Sequence, residues 1–83
     1  MNLKIKKNDI DDFHVLVGRN VKMLREQKGL TQIQLSLEIG QSSTSIISQA
    51  ELGKGKRFNL EHLYKISKVL ECDICDFFDE DLK

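Results

Sequence analysis

Gly29-Leu-Thr-Gln-Ile-Gln-Leu-Ser-Leu-Glu-Ile-Gly40, then Gln41-Ser-Ser-Thr-Ser-Ile-Ile-Ser-Gln-Ala-Glu51, then Leu52-Gly-Lys-Gly-Lys-Arg57, is the stretch that decides the fold. Thr31 stands where a hydroxyl can cap a helix, and Leu35 and Ile39 follow at i, i+4 spacing. Ser36 between them is small enough for another helix to approach, and Gly40 closes the segment in a turn. The second piece predicts another short helix, capped by Ser43 and running to about Leu52. Ile47 and Ala50 form its inner side, and Thr44, Ser45, Ser48 and Gln49 point elsewhere. The polar run Gln41 to Ser45 could by itself be a flexible loop. Ile46, Ile47 and Ala50 follow it at helical spacing, which favours the helix. A glycine-containing cationic loop, Lys54, Lys56 and Arg57, comes next.

The same logic extends outward. A first helix is expected from about Asp12 to Lys28, with Asp11 or Asp12 as cap. Its apolar side is Phe13, Leu16, Val17, Val21 and Leu24, and Gly29 is its stop. Asn59 is a good cap for a fourth helix from Leu60 to about Leu70, whose inner side is Leu63, Ile66, Val69 and Leu70. Asp73 can cap a last short helix holding Ile74, Phe77 and Phe78. Residues 1–11 are expected to form an amino-terminal arm, 12–78 the domain, and 79–83 an acidic tail that frays. In the arm Leu3 and Ile5 alternate with lysines, so a short strand and disorder both remain open.

Eighty-three residues hold one core. With no proline, five glycines and no sustained apolar–polar alternation, an all-α bundle is the expected class. No apolar run approaches the roughly 18 residues of a membrane span, and no apolar segment follows Lys4, Lys6 and Lys7 as a signal peptide requires. A cytoplasmic protein is expected, with Cys72 and Cys75 as reduced thiols.

The formal net charge is zero, with 13 basic and 13 acidic residues, but it is unevenly spread. Residues 54–68 carry five basic groups against Glu61, whereas residues 69–83 carry six acidic groups against Lys83. A basic segment beside a polar-faced short helix suits a protein with one side turned to nucleic acid. Two short helices joined by a tight turn are the helix-turn-helix arrangement, whose second helix can lie in the DNA major groove.

Enzyme chemistry is not expected. No nucleophile–base pair, phosphate-binding glycine loop or carboxylate pair in a known motif is present, and a chain this size leaves little room for a pocket. Cys72-x-x-Cys75 has no second Cys or His pair to complete a zinc site, and His14 and His62 are isolated. The two thiols are expected to fill apolar slots. No cofactor or metal is expected.

From Val17 to Phe78 the chain resembles the lambda-repressor-like helix-turn-helix domains of the XRE/Cro type. The resemblance rests on Leu24-Arg25-Glu26-Gln27-Lys28-Gly29-Leu30-Thr31-Gln32, Leu35-Ser36, Ile39-Gly40, Ile47-Ser48-Gln49-Ala50-Glu51 and Gly53-Lys54. Leu60-Glu61-His62-Leu63 and Cys72-Asp73-Ile74-Cys75-Asp76-Phe77-Phe78 extend it. It implies a five-helix bundle with helices 2 and 3 as the DNA-binding unit. It further implies base contacts from Thr44, Ser45 and Gln49, and phosphate contacts from Gln32, Ser43, Lys54, Lys56 and Arg57. Arg25 and Glu51 match a buried ion pair between helices 1 and 3. Ile74, Phe77 and Phe78 are the expected homodimer interface.

The chain departs from the family pattern in three places. One extra residue lies near Gln41, Glu71 stands where glycine is common, and Ile33 and Leu37 are apolar where charge is usual. The expected function is a transcriptional regulator, of repressor or controller type, binding double-stranded operator DNA as a homodimer. An antitoxin-like protein-interaction module, with DNA binding secondary, is the alternative, with Ile33, Leu37 and the amino-terminal arm as its contact surface.

Overall fold

The computed structural model describes residues 4–82. The first residues of the arm, Leu3 included, and Lys83 of the tail lie outside the described residues. Among the described residues the chain forms four α-helices and a 3₁₀ helix, and no strand. They are α1 (Lys7–Gln27), α2 (Gln32–Glu38), α3 (Ser45–Leu52), α4 (Leu60–Leu70) and the 3₁₀ helix Ile74–Phe78.

Helix α1 begins five residues before the expected start. Asp9 supplies the cap: its carboxylate accepts the Lys6 backbone N–H at 3.2 Å. Asp11 and Asp12 therefore lie inside the first turns, where their charge still suits the positive end of the helix dipole. These turns are exposed, as are Ile10 and Phe13, so α1 reaches the core only from Val17 onward.

There it meets α3 with little between them. A Cβ added to Gly18 would stand 1.9 Å from the Ala50 carbonyl oxygen, so only glycine allows this approach. Val17 and Val21 pack beside Gly18 on Ile47 and Ala50 in one core with Leu35, Ile39, Leu63, Ile66, Leu70 and Phe77.

Helices α2 and α4 start as anticipated, each on a reciprocal capping box. Thr31 Oγ1 accepts from the Gln34 N–H (3.1 Å), and Gln34 Oε1 accepts from the Thr31 N–H (2.8 Å). In α4, Asn59 Oδ1 accepts from the His62 N–H (2.7 Å), and the Asn59 N–H donates to His62 Nδ1 (3.1 Å). That second bond requires a neutral imidazole acceptor. Partial burial, the main influence on His62, lowers its pKa and favours that form.

Helix α3 departs from expectation: it starts at Ser45, one residue later than a Ser43 cap implies. Thr44 occupies the cap position without a side-chain cap bond, and Ser43 Oγ accepts the Ser45 N–H at 3.3 Å. The turn between α2 and α3 is correspondingly longer, spanning residues 39–44.

The fifth helix is also a correction: it is a 3₁₀ helix of five residues. Its Asp73 cap is as expected, with the carboxylate accepting from the Cys75 N–H at 2.9 Å. Its far end is caught by Asn20, whose Nδ2 donates to the carbonyls of Phe77 (3.0 Å) and Asp79 (2.7 Å). Carbonyls held by a side chain are not available to propagate an α-helix. Cys72 is half-buried against the core, but Cys75 is exposed and fills no slot. Burial raises the Cys72 thiol pKa, and a hydrogen bond with the Asp73 carboxylate raises that of Cys75.

Candidate nucleic-acid interface

The site is built on a buried polar knot. Arg25 of α1 donates from Nε and Nη2 to the two carboxylate oxygens of Glu51 on α3, at 2.8 and 2.9 Å. Its Nη1 donates to the Leu30 carbonyl at 2.7 Å. The two side chains are 8% and 1% exposed, and the Glu51 hydrogen bond raises the Arg25 pKa. Gln32, the first residue of α2, donates from Nε2 to Glu51 Oε1 at 3.0 Å. Three helices thus converge on one carboxylate, fixing α3 against α1 and α2. The Arg25–Glu51 pair followed from the resemblance; the third partner did not.

The outer side of α3 is polar. Ser43 is exposed, and Thr44, Ser45 and Gln49 are half-buried along the turn and the helix. The hydroxyl of Ser48 turns back onto the Ser45 carbonyl at 3.4 Å. The Gln49 amide donates to Ser45 Oγ at 3.0 Å and accepts the Lys56 backbone N–H at 3.1 Å.

Past α3, the left-handed residues Gly53 (φ 72°) and Gly55 (φ 78°) turn the chain so that Lys54, Lys56 and Arg57 project from one exposed loop. Arg57 is paired with Asp11 of α1, and Lys7 Nζ lies 3.6 Å from the same carboxylate. The Arg57 hydrogen bond, ahead of Lys7, holds the Asp11 pKa below its ordinary value. Nearby His14 has a lowered pKa, from burial first and Arg57 second. Cations thus flank α3 on its carboxyl-terminal side, with Asp11 moderating the outermost of them.

The expected dimer residues separate. Phe77 is fully buried and belongs to the monomer core, so it cannot serve an interface. Ile74 is half-buried and packs on the same core. Phe78 is 37% exposed and stacks on Phe13 of α1, ring centroids 5.8 Å apart.

Several contacts are not evident from the sequence, among them Gly18 on Ala50, Asn20 on the 3₁₀ helix, Gln32 on Glu51, and Gln49 on the loop. Of these four, the first two have a signal in the sequence. Gly18 is an isolated glycine in a helical pattern, and Asn20 is a polar residue between Val17 and Val21 on an apolar face.

Two short helices joined by a turn, the second polar outward and followed by a cationic loop, define a helix-turn-helix DNA-binding domain. Residues 21–77 match the family described as Helix-turn-helix, and the chain belongs to that family, of the XRE/Cro type. It is a family of binding domains and not of enzymes. The chain is also 33% identical over 64 residues to the HTH-type transcriptional regulator SlrR of Bacillus subtilis (strain 168). That match covers 77% of this chain and 41% of the relative, so the chain spans less than half of that protein's length. The first 14 residues of α1, including Asp11, Gly18 and Asn20, precede the family match. No helix among the described residues is long and apolar enough to cross a membrane.

Proposed function

We propose that this chain is the DNA-reading part of a sequence-specific transcriptional regulator, of repressor or controller type, in the bacterial cytoplasm. The observation that carries the reading is α3 itself. Its polar, half-buried side lies beside the exposed Lys54, Lys56 and Arg57, while its inner side is locked by the Arg25–Glu51–Gln32 knot. Thr44, Ser45 and Gln49 face bases in the major groove. Hydroxyls serve as donor or acceptor, and an amide can match the N6 and N7 of adenine. Ser43 and the free groups of the Gln32 amide meet phosphates, and Lys54, Lys56 and Arg57 supply salt-dependent, sequence-independent affinity.

One such domain reads few base pairs, so the protein acts as a homodimer on a pseudo-palindromic operator with half-sites about one helical turn apart. Phe78, with Ile74 beside it, is the exposed apolar edge left for that contact once Phe77 is assigned to the core. The name of the relative, a transcriptional regulator, supports the same function. A protein-interaction role of the antitoxin kind is the second reading. It is favoured by Ile33 and Leu37 on α2, which are 62% and 65% exposed.

The test is a binding titration against the chain's own upstream DNA over a range of salt, with Lys54→Ala/Lys56→Ala beside the wild type. The double variant should weaken binding to all sequences alike and lower the salt slope by about one unit per lost phosphate contact. An unchanged slope means the loop does not meet the backbone. A wild type that binds no duplex leaves the interaction module.

A further inference from the structure

Gln49 sits on the outer side of α3, yet both ends of its amide are engaged within the protein. Nε2 donates to Ser45 Oγ one turn earlier on the same helix. Oε1 accepts the backbone N–H of Lys56, seven residues on and inside the cationic loop. The loop wraps around this side chain closely. Gly55 holds φ 78°, a backbone that favours glycine, and a Cβ there would stand 2.3 Å from Gln49 Oε1 and push the amide out of its place. Gly53, also left-handed, turns the chain out of α3 toward the same point.

We propose that Gln49 is a positioning residue that couples base reading to backbone grip. Its amide fixes the Ser45 hydroxyl on the reading helix and the Lys56 backbone in the phosphate-facing loop as one unit. This rests on the DNA-binding function proposed above. The two bonds use one N–H and one lone pair of the amide. The remaining N–H and lone pair stay available, so any contact with a base is made by an amide already held in place. Holding it beforehand lowers the ordering cost of binding, and the loop is set by the same bonds. Loss of the amide therefore affects contacts that carry no sequence information, which a plain base reader does not do.

Three measurements on Gln49→Ala test this. In the free protein, solvent exchange at the Lys56 amide should quicken by about two- to tenfold, the scale of one net hydrogen bond, while the core amides of Val21 and Ile66 are unchanged. Affinity for a random-sequence duplex should fall by a similar factor, with a shallower salt slope. Across operators substituted at each position, the loss should be spread over all positions. Gln49→Glu is the conservative control: a carboxylate accepts from both the Lys56 N–H and the Ser45 hydroxyl, so Lys56 protection should return. Unchanged Lys56 exchange in Gln49→Ala overturns the proposal. So does wild-type affinity for random duplex with preference lost at a single base pair, the signature of a base reader alone. If the wild type binds no duplex, the DNA-binding function fails, and the exchange measurement still decides whether Gln49 holds the loop.

Discussion

Helix α1 is held on two sides, and the two joints are made by opposite means. Against α3 it presents Gly18, whose missing side chain lets its backbone rest on the Ala50 carbonyl. Against the 3₁₀ helix it presents Asn20, a fully buried amide that ties down the Phe77 and Asp79 carbonyls, with Asp76 O at a longer 3.4 Å. The first joint works by shape and tolerates nothing added. The second works by hydrogen bonding and tolerates nothing removed. The difference follows from what each must do. The α3 joint sets the position of the reading helix, and close contact, with Arg25 of the Arg25–Glu51 pair about two turns further along α1, fixes it within a narrow range. The 3₁₀ joint closes the chain end over Phe77, and it needs donors because the end of a short helix leaves carbonyls without partners.

The largest effect is expected from adding a single methyl to the first joint. In an exposed helix interior, Gly→Ala stabilises by about 1 kcal/mol through helix propensity. Gly18→Ala should reverse that sign, because the new Cβ would overlap a backbone oxygen that cannot rotate away. A loss of about 3 kcal/mol is expected, at the upper end of overpacking costs. The check is a denaturant melt alongside a DNA titration, since a displaced α3 loses affinity even where the protein stays folded. A Gly18→Ala protein of wild-type stability would show that the joint has slack and that shape does not govern it.

Asn20→Ala should have the next largest effect and a different character. The buried Phe77 carbonyl and the partly buried Asp79 carbonyl lose their donor, at a cost of about 1–3 kcal/mol. The damage should concentrate at the chain end: amide exchange should rise across residues 74–79 while α3 keeps its protection. Affinity of the folded fraction for a random-sequence duplex should hold, because α3 and its loop stay in place, while operator affinity falls as the Phe78 contact between protomers loosens. Equal loosening of α3 would mean that the two joints act as one, and the contrast between them would fall.

The two joints also explain how far the sequence could be read. The starts of α2 and α4 were legible because a capping box is a local pattern: Thr31 with Gln34 and Asn59 with His62 meet within one turn. The start of α1 was misplaced because Asp9, Asp11 and Asp12 can each cap, and nothing local selects among them. The start of α3 was misplaced because a serine and threonine run offers several caps, and the longer turn made Ser43 a turn residue. The Arg25–Glu51 pair, 26 residues apart, was reached only through the resemblance. Gly18 and Asn20 stand in the sequence as anomalies, but their meaning lies in Ala50 and in residues 76–79, which only the tertiary structure brings near. Gln49 was read correctly as lying off the core side of α3, while its two bonds depend on how Gly53 and Gly55 fold the loop back.

The smallest effect tests the turn that delivers the 3₁₀ helix to Asn20. Glu71 caps α4 in the left-handed conformation at φ 54°, the only positive-φ non-glycine among the described residues. L-residues with a Cβ are disfavoured there, and glycine is the usual helix terminator. The compensation is its exposed ion pair with Lys28 at the end of α1, and exposed pairs contribute little. Glu71→Gly should therefore raise Tm by a few degrees at neutral pH. The pH dependence has a definite sign. The Lys28 hydrogen bond lowers the Glu71 pKa, so the pair stabilises the wild type above the unfolded carboxylate pKa. That stabilisation is lost as pH falls through the lower folded value. The strain of the left-handed backbone does not titrate. The advantage of Glu71→Gly should accordingly widen on acidification through the carboxylate range and narrow again toward neutrality. Thermal melts of both proteins from neutral to acidic pH measure it. A variant less stable than the wild type at acidic pH, where the ion pair is gone, would mean that Glu71 is not strained, and that the turn leading to the 3₁₀ helix is held by something other than this side chain.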